Sequence, residues 1–377
     1  MILDSYPAAR LVAPKVHTYF ARHQAAASPA ATLARVPDEG VIRELIDAAF
    51  WASLRREEGY EPKISLAYLP PEQDQQALVF ERPLPLRPAI LAKIAPVVER
   101  AGIHLGVWHV DGELCVWGTT QSIPVLCFVL EVIEAGLLVV KHHRGVQAGK
   151  YVNVAVLEGD QVKLVDESAS TLPDCPDLLT SLLGLNTARS WVGSVNVLVQ
   201  LAVSMRAHGR GGSLLIVPAG SEEWRESVVH PMTYAVSPPF EALSKIIAAA
   251  AGGVESRGWE DSFKDAIDAV AGLTAVDGAA VLADNYDLLA FGAKITRRRG
   301  SPLVEQVTVT EPIEGGAPVI ATPAELGGTR HLSAAQFVHD QRGAVALVAS
   351  QDRRFTVFAW SPCETRVHAH RVESLLL

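Results

Sequence analysis

Three short segments carry residue types suited to holding an anion or a cation. In "GGTRHLSAAQF", Gly327 to Phe337, a glycine pair and a threonine precede Arg330 and His331, and an apolar helical pattern follows. A helix start leaves backbone N–H groups unpaired and carries the positive end of the macrodipole, so it suits a phosphate. Arg330 can grip two oxygens with its planar guanidinium, and His331 can donate to a phosphate or ligate a metal. Gly327 and Gly328 let a backbone approach a ligand closely, while Thr329 or Ser333 can cap the helix or meet a phosphate oxygen. Plain capping, with Arg330 solvated and His331 packed, accounts for the same residues, so this segment alone does not decide.

The second segment is "VDGAAVL", where Asp277 enters a strand and Gly278 gives close backbone access. A carboxylate there can hold a divalent cation and help to deprotonate a hydroxyl nucleophile. The chain supplies its own control in "VDGE" at Val110 to Glu113, where Asp-Gly lies between two alternating apolar runs and is a hairpin turn. No strand precedes Asp277, which weakens the turn explanation without removing it. In the third segment, "VASQDRR", Ser350 closes a buried strand and Asp352 follows at its mouth, as a second carboxylate for a metal or as the first residue of a tight turn.

Other conspicuous groups have blander readings. His142-His143 reads as a solvated strand edge, His368 and His370 as part of a C-terminal tail without zinc partners, and Arg297 to Arg299 as a solvated loop. No G-x-S-x-G elbow and no Walker loop is present.

The elements that must position these residues read as α/β (α+β) in two domains, as 377 residues suggest. Hydrophobic residues make up 49% and charged ones 20%, the balance of a packed protein. Net charge is −9, which argues against nucleic acid as a partner, so any polyphosphate needs a local cluster of donors. The four cysteines lack metal-ligand spacing and fit a reducing compartment, and with no signal-like start a cytoplasmic location is expected. "IPVLCFVLEVIEAGLLVV" is apolar, but Glu131 and Glu134 would sit near mid-bilayer. Two adjacent buried strands fit it better, and no membrane partner is expected.

In the first domain, residues 1–178, "VIRELIDAAFWASLRREEG" and "PAILAKIAPVVERAG" read as helices. "KISLAYL" and "QALVFE" read as strands, with hairpins turning at Asp111-Gly112 and Gly159-Asp160. "SASTLPDCPD" is the candidate boundary. In the second domain, 185–377, Trp191, Val195, Leu198, Ala202 and Met205 form one helical stripe, and "SLLIVP" is a buried strand. Helices at "PFEALSKIIAAAAGG" and "WEDSFKDAIDAVAGL" precede a hairpin, "VDGAAVLADNYDLLAFGAKI". An irregular stretch from Thr296 to Leu326 follows, then the Arg330 helix, a strand "GAVALVAS" and a last strand "FTVFAW".

The order "DGAAVL", "FGAKI", "GGTRHLSAAQF", "ALVASQDRRFTVF" resembles the diadenylate cyclase (DAC) domain, which carries a DGA motif and a G-T-R-H-R motif. The likeness covers about residues 185–377, and the first ~180 residues resemble DACNV, a probable sensor domain that accompanies some DAC domains. The resemblance implies a DAC-type mixed β-sheet flanked by helices, and an activity that condenses two ATP into cyclic di-AMP with release of two pyrophosphates. It implies catalytic roles for Asp277, Arg330 and His331, with ATP held by Gly278, Ala279, Gly328, Thr329, Arg330, Ser333 and Ser350. It further implies a Mg²⁺ or Mn²⁺ ion on Asp277, His331 and Asp352, and a homodimer or higher homo-oligomer, because each ATP attacks the one on a facing protomer.

The chain departs from that pattern where Leu332 replaces the motif's second arginine, where Val276 stands at a position that some members fill with histidine, and where the 296–326 connection is long. These departures motivate an alternative, a catalytically weak or inactive nucleotide-binding pseudo-cyclase that acts as a sensor or regulatory protein.

Overall fold

In the computed structural model, residues 5–27, 33–74, 76–100, 102–143, 151–166, 197–251, 258–352 and 354–377 are described. The fold is mixed α/β, as the sequence leads one to expect, with two mixed sheets in two compact units, Met1–Val165 with Leu377 and Asp166–Leu376. The candidate boundary, and Trp191 and Val195 of the helical stripe, lie outside the described residues.

The first unit opens with α1 (Pro7–Ala26) and α2 (Glu39–Ser53). Helix α2 starts at Asp38, whose carboxylate accepts from the Val41 N–H at 2.9 Å and so satisfies one of the free donors of the first turn. Its strands are β1 (Ile64–Tyr68), β2 (Leu78–Pro85), β3 (His104–Val110), β4 (Glu113–Thr120), β5 (Phe128–Glu134), β6 (Leu137–His143), β7 (Tyr151–Glu158) and β8 (Gln161–Leu164). A short helix, α3 (Pro88–Ile94), follows β2. The sheet order is β2-β4-β3-β1-β5-β6-β7-β8, with β1 and β3 parallel and the other pairs antiparallel.

Alternation decides which face meets the helices. Ile64, Leu66, Leu130 and Leu138 pack with Val12, Phe20, Ile42 and Ile46 in one core. Ser65, Ala67, Val129, Glu131 and Lys141 consequently share the other face, since Ser65 pairs with Glu131 and Val129 with Lys141. The segment read as two buried strands is the β5–β6 hairpin, and no described helix is long and apolar enough to cross a membrane. His142 is not on a solvated edge: β6 lies inside the sheet, and the ring is 6% exposed with Nε2 3.1 Å from the Tyr19 hydroxyl.

The second unit holds α4 (Val197–Ala207), β9 (Gly212–Val217), β10 (Tyr234–Phe240), α5 (Ala242–Ala251), α6 (Trp259–Leu273), β11 (Ala279–Ala283) and β12 (Leu288–Ala293). It continues with β13 (Val307–Thr310), β14 (Val319–Ala321), α7 (Pro323–Leu326), α8 (Thr329–Asp340), β15 (Val345–Ala349), β16 (Phe355–Ser361) and β17 (Arg366–Arg371). The order is β10-β12-β11-β9-β15-β16-β17-β13-β14, with β9 parallel to β11 and β13 parallel to β17. Leu214, Ile216, Leu347 and Val357 face Leu201, Met205, Phe263 and Ile267. The alternate residues Leu215, Val217, Ala346, Val348 and Phe358 face Ala334, Ala335, Phe337 and Val338 of α8. The sheet is thus a buried layer between two helical ones.

Two expectations fail here. The stretch after Ile295 is not irregular throughout, because β13 and β14 extend the sheet beyond β17. His368 and His370 are not in a tail; they lie on β17, 2% and 1% exposed, between β16 and β13. Thr310 Oγ1 stands 2.7 Å from His370 Nδ1, and burial lowers that histidine's pKa to about 3.

Candidate functional site

Strand direction collects the motif segments at one end of the second sheet. Gly212 of β9 pairs with Ala349 of β15, Ala279 of β11 with Ala293 of β12, and Ala349 with Phe355 of β16. Gly211, Asp277, Lys294, Ser350 and Arg354 therefore flank the same rim. Helix α8 packs across this sheet and brings its N-terminus to that rim.

Asp277 is 93% exposed and pairs with the Lys294 ammonium. That hydrogen bond and charge, with the Arg330 guanidinium also acting, hold its carboxyl below the usual carboxylate range. Arg330 leans over Gly211: a Cβ at Gly211 would come within 3.0 Å of the Arg330 Nη1, and the backbone there has φ +70°. A side chain at 211 would both strain the backbone and push the guanidinium away. Ser350 donates to Asp352, a bond that lowers the Asp352 pKa with help from Arg354, 3.3 Å away.

Helix α8 has Gly328 as its N-cap and no side-chain cap, so neither Thr329 nor Ser333 is spent on capping. Gly328 and Thr329 are exposed, Arg330 and Ser333 half-buried, and Leu332 is 37% exposed. The His331 N–H bonds the Gly328 carbonyl at 3.0 Å. Among the described residues no acceptor meets the N–H of Thr329 or Arg330, and two open donors beside a half-buried arginine suit a phosphate.

Three residues take other places than the sequence suggests. His331 is 2% exposed, with its ring edge-on to Phe358, Nε2 3.4 Å from Thr356 Oγ1, and Nδ1 against Gly327. Burial lowers its pKa, against an opposing pull from the Asp352 charge. It belongs to the buried face of α8, three, four and seven residues before Ala334, Ala335 and Val338, and that spacing is the signal that marks it as core. Ala279 is 1% exposed and packs in the core beneath the rim, so its side chain lines no open site. Gly278, at φ +118°, is required by the sheet itself, because a Cβ would meet the Gly292 carbonyl carbon at 2.5 Å.

Asp277, His331 and Asp352 do not form a shared metal set. Among the described residues no group of three or more His, Cys, Asp or Glu side chains is placed to hold one ion. His331 turns its nitrogens to protein, and Asp352 is engaged by Ser350 and Arg354. The exposed carboxylate of Asp277 fits a sparser arrangement, in which Mg²⁺ takes one or two protein carboxylates and fills its other positions with phosphate and water.

Two site residues give no local sign in the sequence: Gly211, inside "HGRGG", and Lys294, one position past β12. Their roles follow only from the pairing of β9 with β15 and of β11 with β12.

Residues 31–121 match the family described as probable sensor domain DACNV. The match lies within the first unit and ends between β4 and β5, while β5 to β8 complete the same sheet beyond it. No curated protein shows significant similarity to the chain.

Proposed function

We propose that the second unit condenses two ATP molecules into cyclic di-AMP, and that the first unit, over which the sensor family matches, regulates it. The observation that carries this reading is the meeting of Asp277, Gly211, Arg330 and Ser350 at one rim, from segments distant in sequence. Phosphoryl transfer asks mainly for positioning and charge neutralisation, and this rim offers both kinds of group.

In this reading the Arg330 guanidinium and the N–H groups of Thr329 and Arg330 at the start of α8 hold the polyphosphate, with Gly328 and Ser333 at the same opening. Asp277, kept ionised by Lys294 and Arg330, orients the ribose 3′-hydroxyl and would hold a Mg²⁺ or Mn²⁺ ion. Such an ion supplies charge neutralisation on the phosphate oxygens. A carboxylate with a depressed pKa is a weak base, so Asp277 does not retain the hydroxyl proton, which passes to solvent. The 3′-oxygen bonds to the α-phosphorus of the ATP on a second protomer as the α–β phosphoanhydride breaks and pyrophosphate departs. The reciprocal attack closes the ring, so two copies must face each other. His331 acts as a positioning residue, packing Gly327 against Phe358 and so setting the first turn that carries Arg330.

The test is incubation of the purified full chain with ATP and Mg²⁺ or Mn²⁺, with cyclic di-AMP read by mass spectrometry beside Asp277→Asn. Product lost in the variant supports the cyclase; no product with either metal from folded, ATP-binding protein rejects it. A second reading, a nucleotide-binding pseudo-cyclase, is favoured by two observations. Leu332 offers no charge at the motif's second arginine, and Lys294 engages the carboxylate that a cation would need.

A further inference from the structure

The first unit holds a cavity of about 500 Å³ at the start of β1, lined by Ser65, Ile103, Glu131, Lys141 and Tyr151, with the exposed Lys63, Glu99 and Arg100 also in its lining. Its size is that of small-molecule sites. Two of its polar systems are costly to bury. Lys141 Nζ is 2.6 Å from Glu131 Oε2, with side chains only 10% and 25% exposed, and such a pair is weak as a source of stability. His104 is 1% exposed and bridges Ser65 Oγ and the Tyr151 hydroxyl, each at 2.7 Å.

Counting hydrogens along that bridge gives a definite result. Burial lowers the His104 pKa to about 4, so the ring is neutral and has one N–H. Ser65, His104 and Tyr151 therefore supply three hydrogens for two bonds. One hydroxyl hydrogen is left over, on Tyr151 if the ring proton is on Nε2 and on Ser65 if it is on Nδ1. Ser65 and Tyr151 both line the cavity, and among the described residues neither hydroxyl meets a further acceptor. The Lys141 ammonium likewise has donors beyond the one used by Glu131, and Glu131 has acceptor sites beyond the one used by Lys141.

We propose that this cavity binds a small zwitterion of the amino-acid or dipeptide class and is the input site of the sensor. A carboxylate takes the spare hydroxyl hydrogen and a Lys141 N–H, an ammonium takes Glu131, and apolar substituents meet Ile103 and Ile133. A ligand with both charges answers each buried group and leaves the net charge of the cavity unchanged. The inference rests on the first unit being a sensor, and its test reads binding, so a silent second unit does not affect it.

The experiment measures thermal shift and calorimetric affinity of the full chain with each of the twenty amino acids and their glycine dipeptides. The deaminated acid of any hit serves as a comparison. Support is a saturable shift with at least one zwitterion, an affinity about tenfold weaker in Tyr151→Phe or, with the ring proton on Nδ1, in Ser65→Ala, and weaker binding of the deaminated acid. Tyr151→Phe keeps the ring and its packing, so the comparison survives if Glu131→Gln fails to fold. The proposal is overturned if no zwitterion shifts the protein. It is equally overturned if affinity is unchanged in all of Tyr151→Phe, Ser65→Ala and Glu131→Gln, or if the deaminated acid binds as well.

Discussion

Two clusters of charged and polar groups, one on each sheet, are placed in opposite ways. On the first, Lys141, Glu131, His104 and Ser65 lie on a sheet face, largely removed from water and bound to one another. On the second, Asp277, Lys294, Asp352 and Arg354 stand at a rim, each side chain more than half exposed. Buried polar groups carry a desolvation cost that only a complete set of partners offsets, so the first arrangement is sensitive to protonation and to loss of one member. Exposed pairs contribute little to folding, and their arrangement is free to serve a ligand. Stability should therefore follow the first set, and chemistry the second.

The sharpest way to break this contrast is Arg330→Ala. It should lower cyclic di-AMP formation by about 100-fold, as loss of a charged transition-state contact does, while the melting temperature stays close to that of the parent. Mass spectrometry and a thermal melt on one preparation check both halves, and a large drop in melting temperature would erase the distinction.

Acid should act on the other side of it. His104 titrates near 6.5 when unfolded and near 4 when folded, so the unfolded state binds the extra proton and stability is lost as pH falls through that window. Burial is the largest cause; Glu131 opposes it, while His143 and Lys141 add to it. The loss should reach on the order of 3 kcal/mol by pH 4. Urea titrations across pH should show a shallower dependence for His104→Asn than for the parent, with the contribution of His370 common to both.

A smaller effect should sharpen the reading of the rim. Leu332→Arg restores a cation beside the start of α8 and should tighten ATP binding about tenfold, measured by calorimetry, with folding unaltered. Smallest is Lys294→Ala, which should leave the melt unchanged and let the Asp277 pKa rise toward the ordinary carboxylate value, as a carboxyl-resolved NMR titration would show. An unchanged Asp277 titration would mean that Lys294 does not hold it.

Much of this organisation is legible in the residues. The hairpins β3–β4, β7–β8 and β11–β12 announce themselves by alternation around a turn, and β5–β6 by apolar runs broken at Ala135-Gly136. Helix α1 escapes because Pro14 lies inside it and its small apolar residues give no strong stripe. β13 and β17 escape because each offers only two apolar residues, Val307 and Val309 or Val367 and Ala369, alternating with Thr or His that only the pairing of the strands buries. At the site, the motif order points to Asp277, Arg330 and Ser350 from sequence alone. Lys294 and Gly211 depend on strand register, and the burial of His331 on which side of α8 meets the sheet.

The strands that follow Arg299 bear on how the chain can be shortened. β13 lies against β17 along Thr308 to Thr310, so β17 is an interior strand and β14, only Val319–Ala321 long, forms the margin. Excising 296–322 as a dispensable lid would strip the hydrogen-bonding side of β17 and open His368 and His370 to water. It would also create a six-residue unpaired edge, the kind of surface on which chains adhere to one another. A minimal version of this unit must keep that stretch, and shortening is better directed at the connection between β13 and β14, where Gly315 turns the chain.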